Sequence, residues 1–162
     1  MRTEEQFGEG FDCGFDCSMQ VLADLAPEIG LTEEQGLKLA SCLGVGAGQG
    51  SMCGAVAGAL IAIGYRYGNS EPNDMATKGI CMAKRAEFYQ RFQEEFGGVT
   101  CPAIMGYDLR KPEEAKIARE KGLFKTLCPR ACRFAVITAT DILTEILGVC
   151  RYVSPNPRTL RV

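Results

Sequence analysis

A chain of 162 residues, 46% of them hydrophobic, is long enough to bury one core and needs no second domain. Its net charge of −2, with bases scattered among acids, gives no positive field for a phosphate backbone, so nucleic acid is set aside as a partner. Nine cysteines stand beside no histidine and no tryptophan, which excludes Ser-His and Cys-His nucleophilic pairs, imidazole zinc ligands and histidine-ligated haem, and leaves sulfur as the soft chemistry.

The first residues, Met1 to Phe7, carry acids where a secretion signal carries bases and an apolar core, so a cytoplasmic location is expected. In such a reducing compartment a high, odd cysteine count points to metal or redox chemistry rather than a disulfide scaffold. The most apolar run, Met52 to Ile63, is about half of the roughly 20 residues a bilayer requires, and it contains two glycines. It reads as a buried helix and not as a membrane span.

Along the chain, helix punctuation dominates and alternating strand patterns are scarce. The first helix is expected over 17–25, with Pro27 at its exit. Thr32-Glu33-Glu34-Gln35 has the form of a capping box and predicts a helix over 32–43. The glycine-rich stretch 44–50 is a loop, after which Ser51 can cap a small-residue helix to about Tyr67. Asp74 can cap a long helix on which Cys81, Phe88, Phe92 and Phe96 share a stripe, ended by Gly97-Gly98. Pro112 opens the next helix and Gly122 suits the position after its end. The last is expected from Pro129 to Gly148, burying Phe134, Ile137, Ile142, Leu143 and Ile146, with an extended tail over 152–162. The expectation is an all-α single domain, 1–162, of about six helices.

Cys13/Cys17 and Cys128/Cys132 are C-x3-C pairs, whose i,i+4 spacing would place both sulfurs on one helix face about 6 Å apart between Cβ atoms. Core packing of small apolar residues is the alternative for either pair. Cys17, Cys53, Cys101 and Cys132 each fall near a predicted helix N-terminus, where free N–H groups and partial positive charge favour a thiolate. Arg130 and Arg133 beside the last pair would add to that effect. Cys42, Cys81 and Cys150 read as small buried hydrophobes. Gly50, Gly54, Gly58 and Ala62 recur every four residues, a smooth face suited to close helix packing or to a homodimer. Stretch 44–50 lacks both the third glycine and the preceding strand of a dinucleotide fingerprint.

Several segments together carry a resemblance: Cys17-Ser18-Met19-Gln20-Val21-Leu22, Met52-Cys53-Gly54-Ala55-Val56-Ala57-Gly58-Ala59 with Gly64-Tyr65-Arg66-Tyr67-Gly68, Cys101-Pro102-Ala103-Ile104-Met105-Gly106-Tyr107-Asp108, and Cys132-Arg133-Phe134-Ala135-Val136. From about Cys13 to Leu147 the chain resembles the bacterial and archaeal C_GCAxxG_C_C family of redox proteins. The resemblance maps four family cysteines onto Cys17, Cys53, Cys101 and Cys132, and the central block onto Gly54, Ala55 and Gly58, with local order Cys-Gly-Ala in place of Gly-Cys-Ala. A similar domain occurs in split-Soret cytochromes beside an iron–sulfur centre. Haem does not carry over, because no C-x-x-C-H is present.

Three functions follow as expectations. The first is an iron–sulfur electron-transfer protein ligated by Cys17, Cys53, Cys101 and Cys132, with Cys13 or Cys128 as alternates and a redox protein as partner. The second is a metal-free thiol–disulfide oxidoreductase or redox sensor. The third is a structural zinc or partner-binding module.

Overall fold

The computed structural model describes residues 1–145, and the expectations for Ile146, Gly148, Cys150 and the tail 152–162 lie outside them. The helices are Glu4–Asp12 (α1), Cys17–Leu25 (α2), Glu33–Ala40 (α3), Gly54–Tyr67 (α4), Met75–Phe96 (α5), Cys101–Met105 (α6), Pro112–Glu120 (α7) and Leu123–Thr144 (α8), with a 3-10 turn at Ala26–Ile29. No strand forms among the described residues, and the all-α class stands. None of these helices is long and apolar enough to cross a membrane.

The eight helices exceed the expected six at α1 and α6, and α8 begins earlier than expected. Thr3-Glu4-Glu5-Gln6 is a second capping box: the Thr3 hydroxyl accepts from the Gln6 N–H, and the Gln6 side chain accepts from the Thr3 N–H. Gly122, at φ +68°, ends α7 in the left-handed region and α8 starts at the next residue. Pro129 therefore lies inside α8. It leaves the Lys125 carbonyl without its helical donor, but the turns that follow bury Ala131, Cys132, Ala135, Val136, Thr138, Ala139, Ile142 and Leu143, which outweighs one lost bond.

α2 is central, packed on α3, α4 and α8. Two glycines set its distance from α4. A Cβ on Gly58 would stand 2.8 Å from the Ser18 carbonyl oxygen, and one on Gly54 would stand 2.9 Å from the Ser18 nitrogen. The small-residue face of α4 is thus filled at Gly54 and Gly58 by α2 of the same chain, the close helix packing expected of it. Gly50 lies in the preceding loop, outside α4, and is buried. α3 closes on α2 in the same way through Gly36, whose added Cβ would sit 2.8 Å from the Ala23 Cα.

At the other end α5 stacks Phe88 on Phe92 and Phe92 on Phe96, the expected stripe, and lays Phe92 and Phe96 against Phe134 of α8, with ring centroids 4.7 to 5.9 Å apart. The Tyr67 hydroxyl donates to the Ile142 carbonyl at 2.7 Å and ties α4 to α8. The loop before α4 is more constrained than an ordinary glycine-rich linker. Val45 and Ala47 both adopt left-handed φ, 53° and 54°, in line with Gly46 and Gly48, a conformation that a β-branched residue strongly disfavours. Ser51 does not cap α4; its hydroxyl donates to the Gly46 carbonyl at 2.7 Å, and Cys53 occupies the cap position.

Candidate redox site

Five cysteines from four helices meet where α2, α4, α6 and α8 converge. Cys17 is the first residue of α2, Cys53 the N-cap of α4, and Cys101 the first residue of α6; Cys128 and Cys132 stand one turn apart on α8. The expected i,i+4 geometry thus holds for Cys128/Cys132. It fails for Cys13/Cys17, because α1 ends at Asp12 and Cys13 is an exposed cap residue on a different helix. Cys132 lies in mid-helix, so its expected place near a helix N-terminus is corrected.

An element with no clear sequence signal joins Cys53 to Cys101. Met52 and Thr100 form an isolated antiparallel bridge, flanked by hydrogen bonds from the Cys53 N–H to the Val99 carbonyl at 2.8 Å and from the Cys101 N–H to the Ser51 carbonyl at 3.1 Å. Side chains alternate across such a ribbon, so Cys53 and Cys101 share the face opposite Met52 and Thr100, and their thiols interact. The only hint in the sequence is that a short extended segment, Ser51-Met52 or Val99-Thr100, precedes each cysteine and its helix.

On the other side, Cys17 interacts through its thiol with both Cys128 and Cys132. The Cys132 S–H also donates to the Cys17 carbonyl at 4.0 Å. Cys53, Cys101 and Cys132 belong to the main core, Cys128 to a smaller cluster with Met105 and Ala118, and Cys17 packs on both. Four of the five are buried, Cys132 completely, and Cys17 is half-buried. Cys42, expected inside, is exposed, and Cys81 is half-buried against the core.

The environment splits the thiols electrostatically. The Cys101 thiol holds Cys53 below its ordinary range against the cost of burial, and the N–H groups of Ala55 and Val56 at the start of α4 add to this without closing a short capping bond. Its partner Cys101 is driven up, first by Cys53 and then by burial. Cys128 rises through contact with Cys17 and burial, and Cys132 chiefly through burial. At Cys17 the Cys128 thiol acts to lower the value, but contact with Cys132 and burial outweigh it and carry it well above the ordinary thiol range.

Arg130 and Arg133 do not take part. Arg130 pairs with Glu95 and lies over the Phe96 ring, 5.4 Å from its centroid, while Arg133 reaches Glu4 at 4.0 Å. Both are drawn to surface acids, which corrects the expectation that they stabilise the thiols. With no base at the site among the described residues, thiols raised in the fold favour folding only while protonated. The stability of the reduced, metal-free protein is therefore expected to hold up to the unfolded thiol value of about 8.5 and to fall as pH rises beyond it. Cys53, being lowered, opposes this trend and does not reverse the sum of four raised groups. Thermal midpoints across that pH interval check it; a midpoint that rises with alkali contradicts it.

Residues 15–146 match a family model described as "Putative redox-active protein (C_GCAxxG_C_C)". The chain belongs to the C_GCAxxG_C_C family. No curated protein and no solved structure matches it. Within this C_GCAxxG_C_C protein, the four cysteines aligned with the family by resemblance all lie in the convergent site, and Cys128 joins them as a fifth. Among the described residues, no group of three or more cysteines or carboxylates is arranged to hold a metal ion. The site is organised as one thiol pair, Cys53 with Cys101, beside a group of three, Cys17 with Cys128 and Cys132.

Proposed function

We propose that the convergent thiols hold an iron–sulfur cluster and that the protein passes electrons through it to a partner redox protein. The observation that carries this reading is that two thiol groups, Cys53 with Cys101 and Cys17 with the cysteines of α8, adjoin in one largely buried site. A two-iron cluster takes four thiolates, two at each iron, and a thiol pair beside a group of three can supply them. Cys53 and Cys101 would serve one iron, Cys17 and Cys132 the other, with Cys128 beside them. The donor set fits in kind as well, since no histidine is present and the thiols pack among apolar side chains.

The cluster would supply reversible one-electron chemistry. The chain's own contribution is to hold the thiols together through the Met52–Thr100 bridge, to favour the Cys53 thiolate with the Ala55 and Val56 N–H groups, and to exclude water with α6, α7 and the α8 face. Half-buried Cys17 marks the side nearest a partner. A reducing compartment such as the cytoplasm, where thiols persist, suits this chemistry. Anaerobic purification is expected to give a coloured protein with about two iron and two sulfide per chain. A colourless, iron-free preparation overturns the cluster reading.

The thiol–thiol contacts favour a second reading, in which the pairs cycle between dithiol and disulfide without metal. The Cys53 and Cys101 peptides would then become linked on mild oxidation and separate again on reduction.

A further inference from the structure

We infer that the reduced, metal-free site carries a thiol–disulfide exchange activity toward low-molecular-weight disulfides, with Cys17 as the entry thiol and Cys128 as the thiol that resolves it. The inference shares with the proposed function the premise that these thiols are redox-active, and it does not require a cluster.

Cys17 is the one member of the five that is not buried, so a small disulfide meets the site there. Cys53 and Cys101 are partnered with each other across the bridge, which leaves Cys17 to the cysteines of α8. These two are not equivalent. Cys132 is completely buried in the main core, and its S–H is directed at the Cys17 carbonyl. Cys128 lies one turn nearer the helix start, in the smaller cluster with Met105 and Ala118, against which Cys17 packs. Pro129 follows Cys128 directly and deprives this turn of α8 of one hydrogen bond, so the backbone at Cys128 gives more readily than that at Cys132 when a disulfide draws it in.

The exchange balances in two steps. With no base beside it, Cys17 gives up its proton to alkaline solvent and attacks one sulfur of R–S–S–R; a Cys17–S–S–R bond forms, the original S–S bond breaks, and the first R–S⁻ leaves and takes a proton. Cys128 then gives up its proton and attacks the Cys17 sulfur, forming the Cys17–Cys128 disulfide and expelling the second R–S⁻. Two protein thiols are oxidised by two electrons, and the disulfide is reduced to two R–SH.

The test uses the full chain, stripped of metal under reducing conditions, desalted, exposed to oxidised glutathione and mapped by peptide mass spectrometry. A linked Cys17–Cys128 peptide is expected as the main oxidised form of Cys17, with two glutathiones released per closure. In C128S that peptide is lost and Cys17 accumulates as the glutathione mixed disulfide. A Cys17–Cys132 link in the wild-type chain, or a Cys17 that stays free there, overturns the inference and requires no variant to fold. The two readings fail separately: iron-loaded protein whose stripped form leaves Cys17 free sinks only the exchange, whereas iron-free protein that closes Cys17–Cys128 sinks only the cluster.

Discussion

Replacing Gly54 with valine is expected to destabilise the fold and to pull the thiol site apart in one step. The Cβ alone would lie 2.9 Å from the Ser18 backbone nitrogen, 3.0 Å from the Cys17 Cβ and 3.4 Å from the Leu43 carbonyl oxygen. Two of these neighbours are backbone, so no side-chain rotation relieves the contact. Overpacking of this kind costs about 1–3 kcal/mol, and the two γ-methyls of valine put this site at the upper end. The relief available is separation of α2 from α4, which moves Cys17 away from Cys53. G54V is thus expected to unfold at lower urea concentration and to lose the convergence of the thiols even where it remains helical. Gly64, ten residues on in the same helix, has open space where its Cβ would be, so G64A is expected to gain roughly 0.5–1 kcal/mol from helix propensity. A G54V protein that melts with the wild type would mean that the two helices are not packed at this distance.

Phe92→Ala is expected to produce the largest loss of stability from a single core residue. Its ring is completely buried and contacts Phe88 at 5.8 Å, Phe96 at 4.7 Å and Phe134 at 5.9 Å between centroids, so truncation removes contacts on three sides at once. Truncations of buried phenylalanine cost about 3–5 kcal/mol. Against a typical total stability of about 5–15 kcal/mol, that change brings the protein near the threshold of folding. Urea unfolding read by helicity measures it, with the midpoint falling and the slope unchanged. A loss under about 1 kcal/mol would show that the cluster repacks around the gap. None of the five convergent cysteines belongs to this aromatic cluster, so its loss should act through stability and not through the site.

Much of the helical frame was legible because its signals are local. The capping box at Thr32, the cap at Asp74, the phenylalanine stripe and the left-handed glycines at 97 and 122 act within a few residues of where they stand. The same Thr-Glu-Glu-Gln signature marks α1, where the expectations placed no helix; Gly8 and Gly10 weaken that segment, and its packing on α8 offsets them. Pro129 misled in the opposite direction. Proline is favoured at a helix start, and only the buried face of the surrounding turns keeps it within α8. That error also misplaced Cys132 relative to a helix N-terminus.

The site was legible in membership and not in arrangement. Cys17, Cys53, Cys101 and Cys132 stood out by position and by resemblance, yet their pairing depends on a two-residue bridge and on the approach of α2 to α4, and neither leaves a periodic trace in sequence. Cys13 and Cys128 looked alike as i−4 companions. A helix break separates Cys13 from Cys17, whereas α8 runs unbroken through Cys128 and Cys132. The arginines next to the second pair were misread because adjacency in sequence does not decide which face a side chain takes; Glu95 and Glu4 attract them outward.

The most direct test of the account is the iron and visible absorbance of anaerobically prepared C101S set against C42S. Cys101 is buried at the bridge and Cys42 is exposed and outside the site. The account predicts that C101S loses the colour and most of the iron while C42S keeps both; C101S that retains its iron, or C42S that loses it equally, contradicts the claim that the convergent thiols are the redox centre.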